Sequence, residues 1–203
     1  MIWVVEQCYP WGDYGGILVK GLASRESEGG PLLLHRAGPF LPPISFPTLS
    51  GIVVSDEFRH ELEGPGFTGV RFVPTIKARI INLAWHKWDR TAAEPKRYPR
   101  GGEPEEYIMD KPHDARVASQ MPEAWEFLPP LVPLRMERLE DPRGGYLDKF
   151  RAYPSEPHYP GLFLSRHEYG HLVVDDDTRK WFECRVGEWV RFCEVEFAAT
   201  ETV

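Results

Sequence analysis

Apolar residues come in short runs along this chain, and most of the runs are bounded by glycine or proline. The first three are MIWVVEQ (residues 1–7), GGILVKGL (15–22) and PLLLHRAGPFL (31–41). Each run has the length of a strand, so the pattern predicts short strands or buried extended segments. The overlapping stretch GPFLPPISFPTLSG carries four prolines, which exclude a helix and favour an extended segment laid across the core.

Residues 52–78 are predicted to form a strand, a short helix and further β-structure. The strand is apolar, and Ser55 at its end is a good N-cap for a helix. Phe58 and Leu62 share one helix face at a spacing of four residues, and Gly64 with the following proline ends the helix. The alternating residues that follow predict a long strand or a hairpin.

The same pattern returns 120 residues later, in residues 172–198. Nine of the 27 aligned residues are identical, and the order of apolar strand, acidic cap, short charged helix and V-R-F strand is kept. We therefore predict two similar strand–helix–strand units at 52–78 and 172–198. The expected fold class is α/β (α+β), a mixed β-sheet with short helices in a single domain spanning 1–203.

Residues 107–160 give weaker patterns. ASQMPEAWEFL is predicted to start a helix, LVPLRMERL to form a strand, and GGYLDKFRAYPSEPHYPG to be mainly loop.

Composition and charge exclude several classes of protein. The formal net charge of −7 argues against a general nucleic-acid binder, which needs a basic surface. No basic leader with a cleavage site begins the sequence, and no apolar run approaches the roughly 18 residues of a membrane span. The three cysteines lack C-x-x-C spacing and are expected to be free thiols, so we expect a cytoplasmic protein without a membrane partner.

The stretch SRHEYGHLVVDDD contains H-E-x-x-H, the signature of zinc metallopeptidases. In that interpretation His167 and His171 bind zinc and Glu168 is the general base, which requires all three on one helix. The repeat instead places a strand directly after His171, and GLFLSR before the motif is also strand-like. We therefore predict a hairpin of 163–166 with 171–174, with no metal, no cofactor and no catalytic residue. The zinc peptidase remains an alternative.

The segments AGPFLPPISFPTLSG and GIVVSDEFRHELEGPGFTGVRFVPTIKA resemble a pattern in bacterial immunity proteins of polymorphic-toxin and type VI secretion systems. Those proteins join a proline-rich approach, an apolar strand ending in VVS or LVS, a short charged helix and a G-V-x-F strand. The resemblance covers residues 37–82. A subgroup with two C-x-x-C-G zinc motifs does not apply, because this chain lacks them.

The resemblance implies an immunity protein that takes part in bacterial competition as a toxin inhibitor, acting through protein–protein interaction with a cognate toxin. A cytoplasmic location implies a toxin that acts there, such as a nuclease, whose basic groove would attract an acidic inhibitor. A non-enzymatic adaptor of a secretion system is a further alternative. We place the toxin-binding surface on an acidic loop with two aromatic anchors, comprising Glu103, Glu105, Glu106, Asp110, Tyr98 and Tyr107.

Overall fold

The computed structural model describes residues 1–8, 11–49, 51–64, 66–83, 103–153, 158–165 and 170–198. Within these residues the strands are β1 (Ile2–Gln7), β2 (Leu22–Ser24), β3 (Leu33–Ala37), β4 (Ile44–Ser45), β5 (Val53–Ser55), β6 (Arg71–Pro74), β7 (Ile76–Ile81), β8 (Ala124–Leu128), β9 (Leu131–Val132), β10 (Arg135–Glu140), β11 (Tyr146–Tyr153), β12 (Leu162–Ser165), β13 (Leu172–Asp175) and β14 (Val190–Phe197). The helices are α1 (Gly12–Lys20), α2 (Asp56–Glu63), α3 (Glu106–Met109), α4 (Ala115–Ala118) and α5 (Asp176–Val186). None of these five helices is long and apolar enough to cross a membrane.

The strands form three sheets, and the seven-stranded and three-stranded sheets combine parallel and antiparallel neighbours. The largest has the order β10-β11-β14-β1-β13-β12-β9, the second β4-β5-β8-β6 and the third β2-β3-β7. Within the largest sheet, β10 and β11 are antiparallel whereas β11 and β14 are parallel. The predicted fold class, α/β (α+β) with mixed sheets and short helices, is confirmed.

The chain divides into two compact units, and each unit has its own sheets. Unit 1 comprises the described residues of Met1–Glu6, Gly66–Arg71 and Leu128–Val203, and it holds the seven-stranded sheet. Unit 2 comprises those of Gln7–Pro65 and Phe72–Phe127, and it holds the other two sheets. That the whole chain forms one domain stays a prediction.

Both predicted strand–helix–strand units are present. β5 leads into α2 and then into β6 and β7, and β13 leads into α5 and then into β14. The side chain of Ser55 caps α2 by accepting the Phe58 N–H, and Asp175 caps α5 by accepting the Thr178 N–H. Acidic residues at the start of α5 therefore serve the helix end, as the sequence pattern indicated.

Three segments differ from their sequence predictions. GGILVKGL forms the end of α1 and not a strand, ASQMPEAWEFL contains strand β8 and not the start of a helix, and the loop predicted at GGYLDKFRAY is mostly strand β11. β8 pairs with β5, and β11 pairs with β10 and β14. β5 and β14 lie far along the chain from these strands, so local pattern does not reveal those pairings.

The end of α1 is fixed by Arg36, whose side chain is fully buried. Burial lowers the pKa of Arg36 to about 10, and no carboxylate among the described residues forms an ion pair with it. Its guanidinium instead donates to four backbone carbonyls, three of them at the end of α1, where the helix leaves carbonyl groups unpaired. The acceptors are the carbonyl oxygens of Leu18, Val19, Lys20 and Phe40.

Gly21 makes this arrangement possible. Its φ of +65° turns the chain out of α1, and its N–H donates to the Ile17 carbonyl at 2.9 Å. A Cβ at this position would lie 2.9 Å from the His35 carbonyl oxygen and 3.0 Å from an Arg36 guanidinium nitrogen. Only glycine combines that conformation with so close an approach.

The two units have the same strand order. In unit 1 the order β10-β11-β14-β1-β13-β12 corresponds to β2-β3-β7 continued by β6-β8-β5-β4 in unit 2, where one long strand is replaced by β6 and β7. The directions agree as well. Each unit has an antiparallel hairpin, a parallel pair beside it, and an antiparallel pair leading to the helix. The repeat therefore extends well beyond the two segments found in the sequence.

One strand of each unit comes from the other end of the chain. β1 precedes all elements of unit 2 but pairs with β13 in unit 1, whereas β8 precedes the elements of unit 1 but pairs with β5 in unit 2. If the chain is read as two successive repeats, β1–β7 and β8–β14, each repeat gives its first strand to the sheet of the other. The chain is thus a tandem duplication with exchanged first strands.

Each exchanged strand carries a tryptophan at the equivalent position. Trp3 on β1 lies opposite Val174, and Trp125 on β8 lies opposite Val54. The indole N–H donates at 2.8 Å to the first residue of the following helix in both units: Trp3 to Asp176, and Trp125 to Asp56. The two strands are therefore held by the same side-chain contact.

An arginine completes the contact in each unit. The guanidinium carbon lies 4.5 Å from the tryptophan ring centroid, for Arg59 over Trp125 and for Arg179 over Trp3. Arg59 pairs with Glu63 at 2.7 Å, and Arg179 with Glu183 at 2.8 Å. The Asp and Glu of this set are among the nine residues identical between the repeats.

These contacts also set the charge of the two aspartates. Hydrogen bonds from Arg59 and Trp125 hold the pKa of Asp56 below its ordinary value. A hydrogen bond from Trp3 does the same for Asp176. Both carboxylates therefore stay ionised at neutral pH and keep accepting from the indole.

Candidate functional site

The H-E-x-x-H segment is flanked by two antiparallel strands, β12 and β13. Leu164 lies opposite Leu172, and the Ser165 N–H donates to the His171 carbonyl at 2.9 Å. The His171 N–H in turn donates to Ser165 Oγ at 2.9 Å. His171 is thus not helical, so the helix on which a metallopeptidase would place both imidazoles is not available to it.

The His171 ring lies against the core and not in a cleft. Its centroid is 4.9 Å from that of Phe150, which is almost fully buried, in an edge-on arrangement. His167 and Glu168 lie outside the described residues. The predicted strands on both sides of the motif are confirmed, and the zinc-peptidase alternative loses the geometry it requires.

We expect purified, chelator-free protein to contain no stoichiometric zinc, because the backbone at His171 pairs across a hairpin. Inductively coupled plasma mass spectrometry of protein expressed in zinc-supplemented medium measures this directly. One zinc per chain that is lost in a His171→Ala variant would restore the peptidase interpretation.

Metal-binding and thiol side chains also occur outside the motif, in the described part of the chain. No group of three or more His, Cys, Asp or Glu side chains that could hold a metal occurs among the described residues. Cys8, Cys184 and Cys193 are unpaired thiols, as predicted. Burial, together with Glu6 at 3.6 Å, raises the pKa of Cys193 to about 12, so this thiol stays protonated and is not a nucleophile.

The duplication shows where unit 2 departs from the common framework. α1, α3 and α4 have no counterpart among the described elements of the other repeat. α3 and α1 pack together: Ile108 is fully buried in a cluster with Ile17 and Leu18, and the Tyr107 and Tyr14 ring centroids are 6.1 Å apart. We call α1 and residues 103–118, which include α3 and α4, the added segment. Function specific to this chain is best sought on such additions.

The predicted acidic residues lie on this added segment, around α3. Glu103, Glu106 and Asp110 are exposed, whereas Glu105 is half-buried at the start of the helix. Within the part of the chain that the structure describes, none of these four carboxylates forms an ion pair. Together the four define the acidic surface.

The helix that carries the acidic surface, α3, is held by the core and by β7. Ile108 anchors α3 in the core, and the Arg79 guanidinium from β7 donates to the carbonyls of Met109 and Lys111 at the helix end. Tyr107 is half-buried against Tyr14, and burial raises its pKa. Tyr107 therefore supports the helix as well as bordering the surface. Tyr98, the other predicted anchor, lies outside the described residues.

A basic depression lies next to the acidic surface in the chain, and the sequence analysis missed it. It has a volume of about 530 Å³ and is lined by Asn82 and by residues 111–116. Lys111, His113 and Arg116 are exposed at its wall. In the sequence, Lys111, His113 and Arg116 follow shortly after Asp110, but their spacing matches no known binding motif.

Comparisons of the chain with protein-family models, with curated proteins and with solved structures find no match. The resemblance to immunity proteins therefore rests on the sequence pattern of residues 37–82 and stays a prediction.

Proposed function

We propose that this chain is an immunity protein that binds a cognate antibacterial toxin and neutralises it by covering its active or substrate site. The observation that carries the proposal is the acidic surface: four carboxylates without ion pairs among the described residues, fixed on an element that only one repeat possesses. Carboxylates on a fixed helix favour recognition of an oppositely charged partner, because few side chains must be ordered on binding.

The partner that matches this charge is a protein with a basic groove. Nucleases use such a groove for the phosphate backbone, and carboxylates can occupy it in place of phosphate. We therefore propose that the toxin is a nuclease that acts in the cytoplasm. We propose the same location for this chain, because it must meet the toxin there. The net charge of −7 supports the same choice. The protein itself has no catalytic role in this account.

The charge-reversed variant Glu105→Lys/Glu106→Lys should associate with the toxin about tenfold more slowly at low salt, because electrostatic attraction governs the encounter rate. The association rate constant is measured by stopped-flow or surface plasmon resonance. The binding partner is the protein encoded by the large open reading frame adjacent to the gene of this chain. The difference should shrink as salt rises.

A matched control changes the net charge equally at another exposed place in unit 2. Glu26→Lys/Glu28→Lys reverses two exposed carboxylates away from α3. It should slow association much less than the variant at α3. Equal slowing by both variants would show that overall charge acts and not this surface, and no binding by the unchanged protein would remove the proposed function.

A further inference from the structure

The wall of the basic depression presents hydrogen-bond donors. Within the described residues, neither the Lys111 ammonium nor the Arg116 guanidinium has a hydrogen-bond or ion-pair partner. The two groups stand on opposite sides of His113 in the sequence and line the same depression. Two cationic side chains that line one depression favour a ligand that carries negative charge.

His113 adds a third donor, because the backbone fixes its tautomer. The Ile80 N–H donates to His113 Nδ1 at 3.1 Å, so Nδ1 must be the unprotonated nitrogen of the neutral ring. The proton then resides on Nε2, which has no partner among the described residues. The ring is thereby held as a donor without needing to be charged.

The depression also contains one carboxylate, Asp114. Asp114 accepts the backbone N–H groups of Arg116 and Val117 at 3.0 and 3.1 Å, and these bonds, that of Val117 first, hold its pKa below the ordinary value. Asn82 also hydrogen-bonds to this carboxylate. Asp114 Oδ1 is therefore engaged by the start of α4, and its single negative charge stands in the depression beside the two positive charges of Lys111 and Arg116.

We propose that this depression is an oxyanion-binding site, which receives a phosphate or carboxylate group between Lys111, His113 and Arg116. The ligand accepts from the two cations and from His113 Nε2–H, and a volume of about 530 Å³ holds such a group with part of the molecule that carries it. This inference is independent of the proposed function, since it concerns a different set of side chains with the opposite charge.

Titration of the ¹⁵N-labelled full-length protein with inorganic phosphate at constant ionic strength tests the site. We expect saturable shifts of the amide signals of residue 82 and residues 111–116 and of the His113 ring signals. In Lys111→Ala/Arg116→Ala the affinity should fall at least tenfold, because a charge-assisted hydrogen bond is worth about that factor or more. Both side chains are exposed, so the variant should fold normally.

The control variant Lys180→Ala/Arg143→Ala removes two exposed cations of unit 1 and should leave phosphate affinity unchanged. A parallel titration with acetate distinguishes the ligand source. Saturation by both anions at the same residues supports a carboxylate as well as a phosphate ligand, and saturation by phosphate alone supports a phosphate group. Shifts that grow linearly with both anions, or that persist in Lys111→Ala/Arg116→Ala, would overturn the proposal.

Discussion

Cutting the chain between Met121 and Pro122 should give two fragments that do not fold alone but form a stable 1:1 complex when mixed. Fragment 1–121 lacks β8, and fragment 122–203 lacks β1, so each lacks a central strand of its own sheet. β1 alone buries Ile2, Val4 and Val5, each worth about 1.5–3 kcal/mol. That loss is comparable to the 5–15 kcal/mol stability of a typical domain.

Circular dichroism and analytical ultracentrifugation of each fragment, alone and mixed, measure this result. A first fragment that lacks residues 1–8 is the matched control, because it can still receive β8 but has no strand to give. It should fail to restore the near-ultraviolet signal of unit 1. Cooperative thermal unfolding of either fragment alone would show that the exchanged strands are dispensable.

Arg36→Met should destabilise the protein by about 3 kcal/mol or more. The substitution approximately keeps the length of the side chain but removes one donor from each of four backbone carbonyls, of which those of Val19 and Lys20 also accept from Ser45 Oγ. A buried polar group that loses its partner costs about 1–3 kcal/mol. Arg36→Lys should also be strongly destabilising, because one ammonium has only three donors and cannot reproduce the planar guanidinium. Urea denaturation followed by tryptophan fluorescence gives the free energy of unfolding.

Arg71→Met is the control for this measurement, since Arg71 is exposed on β6. Its effect should stay within about 0.5 kcal/mol. A loss below 1 kcal/mol for Arg36→Met would show that the end of α1 does not depend on this arginine.

Sequence pattern predicted α2 and α5, each of which follows an apolar strand and begins with a capping side chain. The apolar strand, the capping residue and the buried helix face of α2 are all local, and the 120-residue offset transferred them to α5. The hairpin at His171 was predicted for the same reason, since the repeat placed a strand directly after it.

Elements that depend on distant partners were missed. The end of α1 has no local signal in the sequence. It depends on Arg36, which lies 16 residues beyond Lys20 and donates hydrogen bonds to the last carbonyls of α1. The exchange of β1 and β8 is hidden because each strand lies outside the segment in which the repeat was found. A local indication of the exchange is the tryptophan on each strand, Trp3 and Trp125. Its role becomes clear only in the structure, where each indole donates to Asp176 or Asp56.

The candidate site was predictable in part. A run of acidic residues after a proline-rich stretch indicated an acidic surface, and the structure places Glu103, Glu105, Glu106 and Asp110 around one short helix. The basic depression was not predictable, because His113 is fixed by the N–H of Ile80, which lies on β7 and 33 residues earlier in the chain. Toxin binding by the acidic surface remains a proposal.

Growth of cells that co-express this chain with the adjacent large open reading frame tests the central claim most directly. The account predicts that the open reading frame alone is lethal and that co-expression of the unchanged chain restores growth. Continued lethality with folded, abundant protein present, or growth of cells that express the open reading frame alone, would contradict the proposal that this chain is an antidote to that product.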